Sequence, residues 1–179
     1  MFYSTDLLNL LAKRLAMLAS DRVSALAEAA TGDIDYAPQV TGTLLALMPH
    51  MFEKAIITSP SLPGDVAAGL AAAFVKDFEA VVKMVSNAGG FSNPIKKALF
   101  NAGFHTIFRR EYDELKPKID GLWQTARKEQ ANPLEYMAYL VLKRAEAASG
   151  KSLESDQRIA STCNAVFSLF KEVHDLLAV

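Results

Sequence analysis

A chain of 179 residues, 51% hydrophobic and 22% charged, can bury roughly 70% of its unfolded surface in one core without a metal or a disulfide. Its net charge of −1 and pI near 6.3 exclude whole-molecule attraction to nucleic acid, so any such contact has to come from a local patch. The single cysteine, Cys163, excludes an intrachain disulfide and points to a reducing, cytoplasmic setting.

Apolar residues return every third or fourth position along the whole chain, and no run alternates with period two. The pattern predicts an all-α protein, one domain over 1–179, built as a bundle of six or seven helices with no sheet. The opening helix is expected over about 5–30, with Leu8, Leu11, Leu15, Ala19, Val23, Leu26 and Ala30 on one stripe and Gly32 just past its end. Ser20 and Asp21 offer a second cap within it, so it reads as one helix or two. Asp6, Lys13, Arg14, Asp21 and Arg22 interrupt any apolar region that a signal peptide would need.

A weaker helix is expected between Gln39 and Thr58, where Gly42 lowers propensity and Pro49 kinks or breaks the backbone. The longest uncharged run, 36–52, spans 17 residues and contains both prolines Pro38 and Pro49, which argues against a membrane span. After a loop at 59–64, Asp65 is the expected N-cap of a helix carrying Ala67, Leu70, Phe74, Phe78, Val81 and Val85, with Lys76, Glu79 and Lys83 on its solvated side. Residues 87–90 stop that helix, Asn93 and Pro94 start the next, and Pro117 with Lys118 marks a further boundary. Asn132, Pro133 and Glu135 combine an N-cap, a proline at N1 and a glutamate at N3, opening a helix that ends near Gly150. In the last helix Ile159, Cys163, Val166, Phe170, Val173 and Leu177 keep a 4, 3, 4, 3, 4 spacing, the seam of a helix packed into a bundle or against a partner.

One segment is chemically biased. Between 96 and 128, eight basic residues against four acidic ones give +4, leaving −5 for the rest of the chain. Phe100, Phe104, His105, Phe108, Tyr112 and Trp123 are interleaved with those charges. At about 100° per residue, Ile95, Leu99 and Ala102 fall on one side and Phe100, Phe104, Phe108 and Leu115 nearly opposite, so the apolar face changes sides. Such a helix is either central in its own domain, with snorkelling basic side chains, or covered by another chain. In the second case Lys96, Lys97, Arg109, Arg110, Lys116 and Lys118 are the candidate contacts to a protein partner or to nucleic-acid backbone.

Catalytic and metal motifs are sparse. The stretch 145–152 ends Ser-Gly-Lys-Ser but has a helix before it where a phosphate loop needs a strand, and Ala145 replaces the first glycine. His50 and Glu53 lie three apart without a second such pair, so the two Glu-x-x-His motifs of di-iron bundles are missing and no metal is expected. Cys163 lies on the apolar seam, where a thiol behaves as a small hydrophobe. These observations favour a non-enzymatic helical subunit of a larger assembly with no cofactor, joined to a protein partner or a second copy of itself. The alternatives are a sensor bundle, in which Phe104, His105, Phe108, Tyr112 and Trp123 enclose a hydrophobic ligand or haem, and an adaptor that pairs through the last helix.

Overall fold

Small side chains set how closely the first helix approaches its neighbours. The structure, a computed structural model, describes residues 4–32, 40, 43–87 and 104–178, with the backbone alone described at 81–87 and 104–109. Helix α1, Thr5–Thr31, buries Ala12, Ala16, Ala19, Ala27 and Ala30 around Leu15, Val23 and Leu26. Alanine at five contact positions lets its main neighbour, α3 (Gly64–Asn87), lie close through Ala67, Leu70 and Ala71. The remaining helices are α2 (Met48–Ile57), α4 (Phe104–Lys128), α5 (Pro133–Ser149) and α6 (Asp156–Leu177). Among the described residues there is no strand, and one hydrophobic cluster draws on all six helices. The fold is all-α.

Local chemistry explains most helix ends. The Ser4 hydroxyl accepts from the Leu7 N–H at 3.2 Å, and Gly32 closes α1 in the left-handed region at φ 70° while donating to the Glu28 carbonyl. No second start occurs at Ser20, which is buried on the same face as Ala16, Ala19 and Val23. A cap there would leave unpaired backbone groups inside the core. Asn132 caps α5 by accepting from Leu134 at 3.0 Å, Pro133 follows it, and Gly150 ends the helix at φ 70°. One boundary moves: helix α3 starts at Gly64, so Asp65 belongs to its first turn rather than capping it. Ser155 caps α6 by accepting from the Arg158 N–H. Glu79, expected on a solvated face, is half-buried.

The largest correction concerns Pro117. Pro49 breaks the helical stretch rather than kinking it: residues 46–47 form a turn, and Pro49 occupies the first turn of α2, where a missing N–H leaves no hydrogen bond unmade. Every residue of 44–52 is buried, which makes this short segment the all-round core element. Pro117 is no boundary: it lies inside the continuous helix α4. Its ring is exposed, and the Asp113 carbonyl that it fails to satisfy belongs to an equally exposed residue. Tyr112, Leu115, Ile119, Trp123 and Ala126 bury the opposite stripe and hold the helix together across the proline. From Arg110 onward α4 is thus apolar on one side only. The crossover expected around Gly103, with Ile95, Leu99, Phe100 and Ala102, lies outside the described residues, as do the stop at 88–90 and the start at Asn93 and Pro94.

Pro117→Ala restores a hydrogen bond and removes an interior helix breaker, so it should stabilise the protein by about 1–3 kcal/mol. Gly32→Ala should do the reverse, by about 1–2 kcal/mol, because of the positive φ. A Cβ there would also meet Arg158 Nη1, a contact that the long arginine side chain can relieve. Thermal unfolding of both variants checks these signs, and Gly32→Asn should lose less than Gly32→Ala.

Candidate functional site

His50 is a polar ring inside an apolar segment, 2% exposed, and its surroundings decide its state. Its Nε2 lies 3.1 Å from the Tyr112 carbonyl oxygen, which only accepts, so Nε2 carries the proton. The ring also stacks on Tyr112 at 4.3 Å and 14°, and the Tyr112 hydroxyl donates to Glu53 Oε1 at 2.5 Å. Burial, the strongest influence, pushes the imidazole down to about 4. The 4.0 Å approach of Nδ1 to Glu53 is therefore not an ion pair at neutral pH.

The same α2–α4 seam continues outward. Lys54 Nζ donates to Asp120 at 2.8 Å and lies 5.7 Å from the centroid of the Trp123 ring, while Lys116 approaches Asp120 at 3.9 Å. The hydrogen bond from Lys54 holds the Asp120 carboxyl below the ordinary carboxylate range. Trp123 stacks on Phe170 of α6 at 6.2 Å, and His174 Nε2 lies 2.9 Å from the Ala55 carbonyl oxygen. These side chains join α2, α4 and α6. Their hydrogen bonds tie these helices to one another.

Of the expected site residues, Tyr112 and Trp123 are thus core contacts. Lys96 and Lys97 lie outside the described residues, and the side chains of Phe104, His105, Phe108 and Arg109 are likewise outside. Arg110, Lys116 and Lys118 are exposed on α4 but do not share a face. With Arg110 as reference, Lys116 lies about 120° to one side and Lys118 about 80° to the other. Lys116 leans toward Asp120, and Asp113 and Glu114 stand exposed among them. The phosphate-loop-like stretch is the end of α5 and its cap: Ala145 is buried and Gly150 is the left-handed terminator.

Two clefts of about 300 Å³ open on α6. One, against α1, is lined by Ala25, Leu26, Ala165, Ser168 and Leu169, and Arg22 spans it to Glu172 at 3.1 Å. The other, against α5, is lined by Glu135, Ala138, Tyr139, Leu142, Ile159 and Cys163. Here the heptad seam divides. Val166, Phe170, Val173 and Leu177 are buried, whereas Ile159 and Cys163 are half-buried and face this second cleft. Tyr139, 45% exposed, forms its wall; an aromatic one position off the buried stripe of Ala138, Val141, Leu142 and Ala145 was the sequence signal for it. Burial, with a smaller contribution from the Glu135 charge, pushes the Cys163 thiol up, so it remains protonated at neutral pH.

Among the described residues no three histidine, cysteine, aspartate or glutamate side chains are arranged to hold a metal ion, and no helix is long and apolar enough to cross a membrane. Comparison with protein-family models, with curated proteins and with solved structures found no match to this chain.

The buried imidazole has a measurable consequence. Unfolded chains bind its proton near the ordinary value of 6.5, whereas the folded protein resists it until about 4, so stability falls as the pH drops through that interval. Between about pH 7 and about pH 5 the loss from His50 should be about 2 kcal/mol. His50→Gln, which keeps a donor for the Tyr112 carbonyl but does not titrate, should flatten this part of the profile in denaturant unfolding.

Proposed function

We propose that the protein is a non-enzymatic all-helical interaction module that receives a helix of a partner protein in the groove between α5 and α6. The observation that carries the proposal is the divided seam: one apolar stripe on α6 is core along 166–177 and becomes the wall of an open groove at Ile159 and Cys163. An apolar groove between two helices takes the apolar face of a third, with anchors one turn apart. Ala138 and Leu142 supply an apolar floor one turn long, Tyr139 a ring to pack on, and Ile159 and Cys163 the facing wall.

The groups with chemical potential elsewhere support a binding role over a catalytic one. His50 is neutral and hydrogen-bonded in the core, His174 reaches the Ala55 carbonyl, and the Cys163 thiol is held protonated. A small hydrophobic ligand suits the groove less well than a helix does. At about 300 Å³ the groove is at the lower end of ligand pockets, which run to roughly 1,000 Å³ and enclose most of their occupant, whereas Tyr139 leaves this one open.

The sole cysteine lets the groove report its own occupancy. A displayed library of randomised amphipathic helices, selected on the wild type and counter-selected on Tyr139→Ala, should yield peptides that slow the reaction of Cys163 with a disulfide reagent. Amide shifts on binding should centre on 135–142 and 159–163. No clone preferring the wild type to Tyr139→Ala, or binders that leave Cys163 as reactive as before, would overturn the proposal.

A further inference from the structure

The charges bordering the groove specify which kind of helix fits it, on the reading that a helix binds there. Glu135 lines the groove, and among the described residues its carboxylate takes part in no hydrogen bond and no ion pair. The neighbouring charges do not compensate it. Lys143 is the cation one turn beyond Tyr139, 5.2 Å from the centroid of its ring, but it is already held by Glu154 at 2.8 Å and Glu146 at 3.1 Å. Glu154 also accepts from the Tyr139 hydroxyl at 3.4 Å, which keeps its carboxylate at the edge of the exposed ring. Lys143 is thus taken up by two carboxylates, Glu146 and Glu154, and Glu135 is left as the charged residue in the lining of the groove. Arg158, the basic residue in the first turn of α6, is turned away: its guanidinium lies against Gly32 at the end of α1.

We infer that the partner is a basic amphipathic helix, whose apolar anchors enter between Tyr139 and Cys163 while a lysine or arginine one turn from an anchor pairs with Glu135. The arrangement gives direction as well as charge preference. Glu135 stands at the α5 N-terminal end of the groove and the Glu154–Lys143 group at the other, so the cation of the partner has one favoured end. The carboxylate sits in the first turn of α5, beside the positive end of the helix dipole. Pairing at an exposed rim adds specificity and a faster approach more than raw affinity, and it is screened by salt.

Two synthetic peptides test this, built on one apolar sequence recovered from the displayed library and differing only in lysine or glutamate at the flanking position. At low salt the wild type should bind the lysine peptide about three- to tenfold tighter than the glutamate peptide. Glu135→Gln should shrink that preference severalfold without altering the thermal midpoint by more than a degree or two, and salt should shrink it in the wild type. Equal affinities, with Cys163 protected by both peptides, would overturn the charge preference and leave the helix groove standing. Failure of both peptides to protect Cys163 would remove the groove reading itself, and the inference with it.

Discussion

Burying residues 44–52 on every side is the constraint around which this protein is arranged. A short helix enclosed by its neighbours cannot carry a charge inward, so the imidazole at position 50 has to be neutral and has to find a partner in the protein. The Tyr112 carbonyl supplies it, from a helix 62 residues further along the chain. That one bond fixes the register of α4 on α2, because the same residue stacks its ring on the imidazole and sends its hydroxyl to Glu53. Everything outward of it follows in order: Lys54 meets Asp120, Trp123 is brought under Lys54 and against Phe170, and α6 closes on the Ala55 carbonyl through His174. Removing the donor at position 50 would cost more than one hydrogen bond, since these contacts share a single alignment.

Features written in a few adjacent residues were legible in the sequence. Gly32, the Asn132–Pro133 start and Gly150 each act through local backbone chemistry, and each ends or begins a helix where that chemistry says it should. The central position of 44–52 was not legible, because Pro49 and His50 look like interruptions until the distant groups that satisfy them are known. Pro117 failed for the converse reason. A strong local signal for a boundary is overridden by the packed stripe from Tyr112 to Ala126 on the other side of the helix. Tyr112 and Trp123 were visible as unusual residues in a basic segment, but whether an aromatic walls a pocket or fills a core depends on contacts that no spacing rule contains.

The groove was half legible. The 4, 3, 4, 3, 4 seam of α6 reads as one uniform apolar stripe, and nothing in its spacing separates Ile159 and Cys163 from the four positions that follow. What separates them is how the helix is held. Its second half is fastened from two directions, by Trp123 against Phe170 and by the Ala55 carbonyl at His174. In its first half the Arg158 guanidinium lies against Gly32 at the end of α1.

The side chains present where α6 meets α5 are modest: alanine at 138, a thiol at 163, and a tyrosine at 139 whose hydroxyl donates to Glu154. The cap chemistry of α5 adds the remaining element, since the glutamate that favours the start of that helix is also the carboxylate at the mouth of the groove. The residues that make α5 and α6 good helices thus leave, where the two meet, an apolar surface bordered by negative charge.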